Sequence, residues 1–384
     1  MKKIVIFNGF YYPSKNCGGP MTSVENIVNT CSDEFDFYIV CYNHDFGDKT
    51  PFDLPIRQWT KWGLANVMYV DRAFIDYSVK RMGAFIDELK PDLMWFSGVL
   101  NPNKKIVAAI NGRKKHIPVL YSPRGEVSAD RVVIKGYKKI PYLYFLRIFG
   151  IYKNCFFHGT SDDEIEGLKR FFNPDPNHLF KVPNIAIRQQ PDMVTSMKKE
   201  GELHAMFFSR IHEVKNLLYA IKCVSKCHQK ITYDIYGPIE SEAYWEECKK
   251  TAESAPQNIS VNYKGILSKE ELGKAIQEHD CFLFPTINEN YGHVIAESLA
   301  NSRPVILSKG TTPWDDLDGK AGAAIPLEAP DIFTEKLDYY ASLTNQEFEK
   351  IIVTTKKYFS DKIMADSAIQ GHKKMFNDII GQYE

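Results

Sequence analysis

The sequence has no excess of charge of either sign, with 48 Lys and Arg against 48 Asp and Glu. No global field therefore draws the chain to nucleic acid, and an anionic partner has to be held by a local patch. No uninterrupted apolar run approaches the roughly 18 residues of a membrane span, so the expectation is a cytoplasmic chain that reaches a membrane only peripherally. The start, Met1-Lys2-Lys3 followed by Ile4-Val5-Ile6-Phe7, is too short in apolar residues for a signal-peptide core and reads as a first buried strand. The eight cysteines form no Cys-x-x-Cys pair, as expected of thiols in a reducing compartment. Cys223 and Cys227 share a helical face beside His228, but no second ligand pair stands at a zinc-like spacing. A packed helix is favoured there over a metal site, and no metal is expected. The chain also lacks both Gly-x-Gly-x-x-Gly and a P-loop, which removes support from a dinucleotide enzyme and from a P-loop kinase.

What is present is ordinary globular material. Hydrophobic residues make up 44% and charged residues 25% of 384 residues, a length that suggests two or three domains. Short apolar runs alternate with longer amphipathic stretches: Ile4 to Asn8, Phe37 to Tyr42, Leu93 to Ser97, Pro118 to Tyr121 and Cys155 to Thr160. A second series runs through His204 to Ser209, Thr232 to Tyr236, Ser260 to Tyr263, Cys281 to Phe284, Pro304 to Leu307 and Ala323 to Pro326. This βα alternation implies an α/β protein with two Rossmann-like, doubly wound domains facing across a cleft. The polar segment Ile187 to Glu202 reads as the linker, so the domains are placed at 1–188 and 200–359. Asn345 to Tyr383 has helical spacing without a strand signal, and its last helix, about 360–384, is expected to pack back on the first domain.

In open parallel sheets ligands bind beyond the carboxyl ends of the strands, and four such places carry candidate residues. After Cys281-Phe-Leu-Phe-Pro285 comes Glu289-Asn290-Tyr291-Gly292-His293-Val-Ile-Ala-Glu297. A helix starting near Tyr291 or Gly292 would leave Glu289 in a loop, put Glu297 more than one turn inside with His293 on its face, and aim free amides at an anion. Read alone, the pair is equally a cap and a solvated helix face. The second place is Ser209-Arg210-Ile-His-Glu-Val-Lys215-Asn216, whose two cations could neutralise a diphosphate. The third is the loop from Asn8 to Pro20, where the paired Gly18 and Gly19 let amides face a phosphate or simply form a turn. The fourth is Tyr121-Ser-Pro-Arg124-Gly125-Glu126. Glu126 is a nucleophile or a surface carboxylate, and the second reading is favoured because the sequence gives it no oriented partner.

The stretch from Phe284 to Ile306 resembles the Glu-x7-Glu signature of the retaining glycosyltransferases of sequence family four, the group-one glycosyltransferases of GT-B fold. Pro285, Glu289, Gly292, Glu297, Ala300, Pro304 and Val305 match the pattern. Thr286, Asn290, Tyr291, Ser298 and Ser302 stand where that family has Ser, Gly, Phe, Ala and Gly. Ser209 to Asn216 is similar to its Gly-Arg-Leu-x-x-x-Lys-Asn motif, with Ser209 and Ile211 as departures. His158-Gly-Thr-Ser161-Asp-Asp-Glu164 resembles its Thr-x-Ser-x-x-Glu turn, in which Ser161 caps a helix. The resemblance implies that Arg210, Lys215 and Glu289 carry catalysis. It further implies donor contacts from Gly18, Gly19, Arg124, Ser209, Asn290, Tyr291, Gly292, His293 and Glu297, with the base against Gly237, Gly265 and Ile266. It implies no metal and no cofactor, the nucleotide sugar being a co-substrate.

From Lys104 to Lys153 twelve Lys or Arg face two acids, Glu126 and Asp130, a net of +10. Aromatic and aliphatic residues lie among the cations in Ile140 to Tyr152, so a surface at an anionic bilayer and a core helix flanked by solvated lysines weigh equally. RNA is a poor third, without a recognised module. The expected activity is retaining transfer from a nucleotide sugar, a UDP-sugar as the commoner donor, to a glycan or lipid-linked acceptor in bacterial surface polysaccharide assembly. The expected location is the cytoplasm and the inner face of the plasma membrane. A sugar-nucleotide epimerase and a non-catalytic nucleotide-sugar-binding subunit are the alternatives.

Overall fold

The computed structural model describes residues 1–15, 17–71, 78–99, 102–127, 136–185, 198–364 and 367–383, with the backbone alone at 102–106, 108, 136–139, 269, 270 and 364. Two compact units result, Met1–Ile185 with Ser367–Glu384, and Ala186–Asp366. Most of the expected linker, Ile187 to Glu202, lies outside the described residues.

The first unit runs β1 (Lys2–Phe7), α1 (Gly19–Cys31), β2 (Phe35–Tyr42), β3 (Trp59–Trp62), β4 (Ala65–Val70), α2 (Val79–Leu89) and β5 (Leu93–Ser97). It continues with α3 (Pro102–Lys115), β6 (Val119–Ser122), α4 (Gly136–Ile148), β7 (Phe156–Gly159), α5 (Asp162–Phe172) and β8 (Leu179–Lys181). The sheet order is β3-β4-β2-β1-β5-β6-β7-β8. Every pair is parallel except β3 with β4. Helices cover both faces, and the strands read as continuous apolar runs because each face is buried. In β1, Ile4 and Ile6 enter one core cluster, and Val5 and Phe7 the other.

Helix ends follow from local chemistry. Ser78 caps α2 by accepting from the Arg81 amide at 3.3 Å, and Ser161 caps α5 through the Glu164 amide at 3.3 Å. Asp162, Asp163 and Glu164 crowd the first turn of α5, where the helix dipole favours negative charge. Lys90 and Asn173 end these helices in the left-handed region.

The second unit runs β9 (Glu202–Phe208), α6 (Leu217–Val224), β10 (Lys230–Tyr236), α7 (Glu242–Glu253), β11 (Ile259–Gly265), α8 (Lys269–Glu278) and β12 (Cys281–Phe284). It closes with α9 (His293–Ala300), β13 (Val305–Ser308), β14 (Gly322–Ile325), α10 (Pro330–Ser342) and α11 (Asn345–Met364). Its sheet is all parallel in the order β11-β10-β9-β12-β13-β14. The chain leaves β9 towards β10 and returns to the other side at β12, so the topological switch point lies between β9 and β12. The corresponding point of the first sheet lies between β1 and β5.

All eleven strands expected from the apolar runs are present; β3, β4 and β8 are additions. The C-terminal stretch divides, with α11 in the second unit and α12 (Ala368–Gly381) in the first. Phe376 of α12 is fully buried against Phe35, Phe37 and Trp95, and Lys373 pairs with Asp33 and Glu34.

Cys223 and Cys227 are buried core thiols. Burial pushes the Cys223 thiol up to about 12, and the Cys227 thiol lies near the carbonyls of Cys223 and Thr334. The His228 ring faces Asp338 instead.

Candidate donor site in the second unit

Because β9 and β12 are neighbours, the loops that follow them emerge side by side at the switch point, where open α/β sheets bind ligands. The loop after β9 ends in a 3-10 turn, Glu213–Lys215, whose Val214 amide donates to His212 Nδ1 at 3.2 Å. Asn216 follows with φ of 57°, a conformation that Asn tolerates better than most residues. Three hydrogen bonds tie this turn to the loop after β12. The Ile287 amide donates to the Val214 carbonyl at 2.9 Å, and Asn216 Nδ2 donates to the Pro285 carbonyl at 2.9 Å. The buried Thr286 hydroxyl stands 3.0 Å from the Val214 carbonyl and 3.1 Å from that of Asn288, sharing one proton between them.

Lys215 Nζ forms an ion pair with Glu289 Oε2 and lies 5.5 Å from the centre of the Phe284 ring. The Lys215 side chain is 6% exposed and that of Glu289 18%, so the pair is largely withdrawn from water. In such surroundings an opposite charge interacts more strongly than on the surface.

α9 begins directly behind this pair. Gly292 is its N-cap with φ of 78°, and among the described residues no side chain caps the helix. A Cβ at Gly292 would stand 2.7 Å from Ile295 Cδ1 and 3.2 Å from Glu289 Cγ. Glycine therefore lets the helix start close to Glu289, with its positive dipole end at the pair. Trp314 fixes the turn from behind. Its indole N–H donates to the Tyr291 carbonyl, and its ring lies 5.7 Å from that of Tyr291. His293 packs 4.8 Å from the Tyr291 ring, and Glu297 is half-buried in the second turn of α9. Asn290 lies in the loop before α9, between Glu289 and Tyr291, and is half-buried as well.

Arg210 pairs with Glu240 at 2.5 Å and keeps a side-chain exposure of 35%. Its loop is braced by the Ile211 amide donating to the Pro238 carbonyl at 2.9 Å and the Glu240 amide donating to the Ile211 carbonyl at 3.1 Å. Ser209 adjoins Gly237 so closely that a Cβ at Gly237 would stand 1.9 Å from the Ser209 carbonyl oxygen, at φ of 138°. The Gly237 amide donates to the Gly265 carbonyl at 2.9 Å, which brings together the carboxyl ends of β9, β10 and β11. Ile266 is exposed beside them and Gly265 has open space around it.

The remaining candidates belong to the first unit. Gly18 and Gly19 are exposed at the start of α1, in the loop after β1. Arg124 turns inward. It lies 5.4 Å over the Trp95 ring and donates to Asn184 Oδ1 at 2.9 Å, while its Nε and second terminal nitrogen have no partner among the described residues. Burial lowers its pKa to about 10, opposed by the carboxylate of Glu164. Glu164 holds the turn by accepting from the Gly125 amide and from the amide and hydroxyl of Thr160, at 2.7 and 2.8 Å for the latter two. Glu126 accepts from the Val99 amide, an oriented partner that the sequence did not reveal.

Residues 189–356 match the family model described as glycosyl transferases group 1. The second unit belongs to the group 1 glycosyl transferases. A comparison with curated protein sequences gives no match. Among solved structures the chain is similar to a glycosyltransferase from Rickettsia africae, with 12% identity, TM-score 0.71 and coverage of 99% of this chain and 98% of that one. It is similar to WaaG, a glycosyltransferase involved in lipopolysaccharide biosynthesis, with 11% identity, TM-score 0.66 and coverage of 98% and 100%. HepE of Anabaena, solved in complex with UDP and glucose, has 14% identity, TM-score 0.60 and coverage of 95% and 100%. At these identities the likeness shows the fold, which is GT-B.

Within this glycosyl transferase unit the structure brings together Lys215, Glu289, Gly292 and the start of α9, and separately Ser209, Gly237 and Gly265. Thr286 and Asn216, which the sequence offers only as motif positions, are the ties between the loops, and Trp314, the brace of Tyr291, was not singled out from sequence. A lone tryptophan in the polar stretch Thr311-Thr312-Pro313-Trp314-Asp315 was the available signal for the last.

Proposed function

We propose that the chain transfers a sugar from a nucleotide sugar, a UDP-sugar, to a glycan or lipid-linked acceptor, with retention at the anomeric carbon and without a metal ion. The observation that carries this reading is the Lys215–Glu289 pair at the β9/β12 switch point, in front of the uncapped start of α9. A diphosphate brought there meets an ammonium and helix-start amides, with the Arg210 guanidinium on the same loop as the ammonium. In the proposed division of labour Arg210 and Lys215 take the departing diphosphate and Glu289 the donor sugar. Glu297 takes the ribose, and the base lies against Gly237, Gly265 and Ile266.

The acceptor hydroxyl attacks the anomeric carbon on the face from which the diphosphate departs. The new C–O bond forms as the sugar–phosphate bond breaks, and a phosphate oxygen takes the hydroxyl proton. Catalysis then rests on positioning and on stabilising the leaving charge. HepE, solved in complex with UDP and glucose, and WaaG, involved in lipopolysaccharide biosynthesis, support a UDP-sugar donor and a surface-polysaccharide role, which we place in the cytoplasm at the inner face of the plasma membrane. Among the described residues no helix is long and apolar enough to cross a membrane.

The test is a thermal-shift screen of nucleotide sugars followed by product analysis with the stabilising donor. A glycoconjugate with the donor's anomeric configuration supports the reading. Free sugar and nucleotide without a conjugate would point to an epimerase, and donor binding without turnover to a binding subunit.

A further inference from the structure

α4 breaks the ordinary rule for a surface helix. Its Leu143 and Leu146 are fully buried, so its outer face should be polar. Instead Tyr144 is 38%, Phe145 49% and Ile148 79% exposed, and Phe149 in the following turn 65%. The Phe145 and Phe149 rings lie 4.4 Å apart, making one continuous apolar ridge. A soluble surface seldom leaves such a cluster in water without a partner.

Charge identifies the partner. From Gly136 to Lys153 the sequence holds Lys138, Lys139, Arg147 and Lys153 and no Asp or Glu. Beside the ridge, Arg147, Lys153 and His178 line a depression of about 350 Å³ with a single acid, Asp175. The turn that shapes its rim is fixed by Arg113, which donates to the Gly150 and Ile151 carbonyls at 3.1 and 2.7 Å. A second copy of this chain would present the same positive ridge and be repelled, whereas an anionic bilayer offers hydrocarbon to the rings and phosphate to the cations.

We propose that the outer face of α4 and the turn after it are the surface on which the chain lies against an anionic bilayer. Ile148 and Phe149 enter the interface, and a lipid headgroup phosphate sits at Arg147 and Lys153. This gives residues to the membrane placement proposed above and rests on that placement alone, not on the transfer chemistry.

The experiment is flotation of the full chain with vesicles of phosphatidylcholine, with and without phosphatidylglycerol, alongside thermal shift with UDP-glucose. The expected result is binding to the anionic vesicles that weakens with salt. The Ile148→Ser, Phe149→Ser pair should lower partitioning by about tenfold or more, and Arg147→Glu with Lys153→Glu should remove the preference for phosphatidylglycerol. Phe149→Trp should retain binding, which separates loss of the surface from loss of fold. Equal binding by the parent chain and the serine pair would overturn the proposal. So would absence of vesicle binding, or a concentration-dependent dimer that the serine pair abolishes. A persisting UDP-glucose shift in any of these cases leaves the donor site standing; loss of the shift with intact vesicle binding would do the reverse.

Discussion

Lys215 and Glu289, 74 residues apart in sequence, meet as an ion pair because two adjacent parallel strands deliver their loops to the same end of one sheet. Neither side chain is fully solvated, and each is the other's electrostatic partner. A donor diphosphate would therefore enter a site where the ammonium is already positioned, with the carboxylate left to engage the sugar.

Lys215→Ala is expected to cut kcat by about a hundredfold or more, since it removes a charge aimed at the leaving group. Glu289→Ala should lower kcat more than it weakens UDP binding, whereas Glu297→Ala should weaken UDP binding itself. Steady-state kinetics with calorimetric titration of UDP separates these outcomes. Near-normal turnover of Lys215→Ala would remove its phosphate role, and a reversed pattern for the two carboxylates would exchange their assignments.

The Arg210–Glu240 pair should behave differently. Arg210→Ala is expected to reduce transfer at least about tenfold. Glu240→Ala should change stability by no more than about 1 kcal/mol and leave transfer near normal, because a partly exposed pair contributes little. Kinetics and melting of both variants decide this. A large loss of transfer from Glu240→Ala would mean that the carboxylate, not the substrate, is the guanidinium's functional partner.

All strands of the second sheet and five of the first were legible because most are buried on two faces, which forces continuous apolar runs such as Ile4 to Phe7 and Cys281 to Phe284. Three strands of the first sheet were not: the edge strand β3 carries Trp59 and Trp62 among polar residues, the edge strand β8 has only three residues, and the interior β4 follows β3 after only Gly63 and Leu64, so its run was not separated from that stretch. Motif spacing gave the site residues their loops and α9 its start. It could not give their partners, because the ties from Thr286, Asn216 and Trp314 depend on which strands become neighbours. The inward turn of Arg124 onto Trp95 and Asn184 was hidden for the same reason. The basic segment was legible as composition; that Ile148 and Phe149 face outward emerges only once Leu143 and Leu146 define the buried side of α4.

Trp314→Phe tests the brace behind the donor loop. A smaller aromatic ring remains while the Tyr291 carbonyl loses its indole donor, which costs about 1–3 kcal/mol if the carbonyl stays unpaired, in addition to the lost packing of the fused ring. The expected outcome is a several-fold rise in donor KM with a smaller fall in kcat, because the amides at the start of α9 lose their fixed position. Unchanged KM and kcat would show that the contact with Trp314 serves packing alone.

A polar chain inside the first unit ties its stability to pH. Trp95 Nε1 donates to Ser122 Oγ at 2.9 Å, Ser122 lies 2.9 Å from His158 Nδ1, and His158 Nε2 lies 2.8 Å from the Val182 carbonyl. A carbonyl only accepts, so His158 carries its proton on Nε2 and Nδ1 accepts from the serine hydroxyl; the neutral ring is satisfied at both nitrogens. The His372 ring packs 5.2 Å away, with Nδ1 donating to the Ala368 carbonyl at 2.8 Å and Nε2 buried without a partner among the described residues. Burial lowers both histidines, His158 well below its ordinary value and His372 to about 4, and the Arg124 charge pushes each the same way. The unfolded chain, with histidines near 6.5, then binds more protons than the folded one as pH falls through that value towards 4, so stability is lost over that window. For His372 the loss is on the order of 3 kcal/mol across the full range. Melting curves of the intact chain between pH 7.5 and 5 should show a falling Tm, and His372→Phe, which keeps a ring and removes one titration, should shallow that fall. A variant as pH-sensitive as the parent would show that the acid loss arises elsewhere.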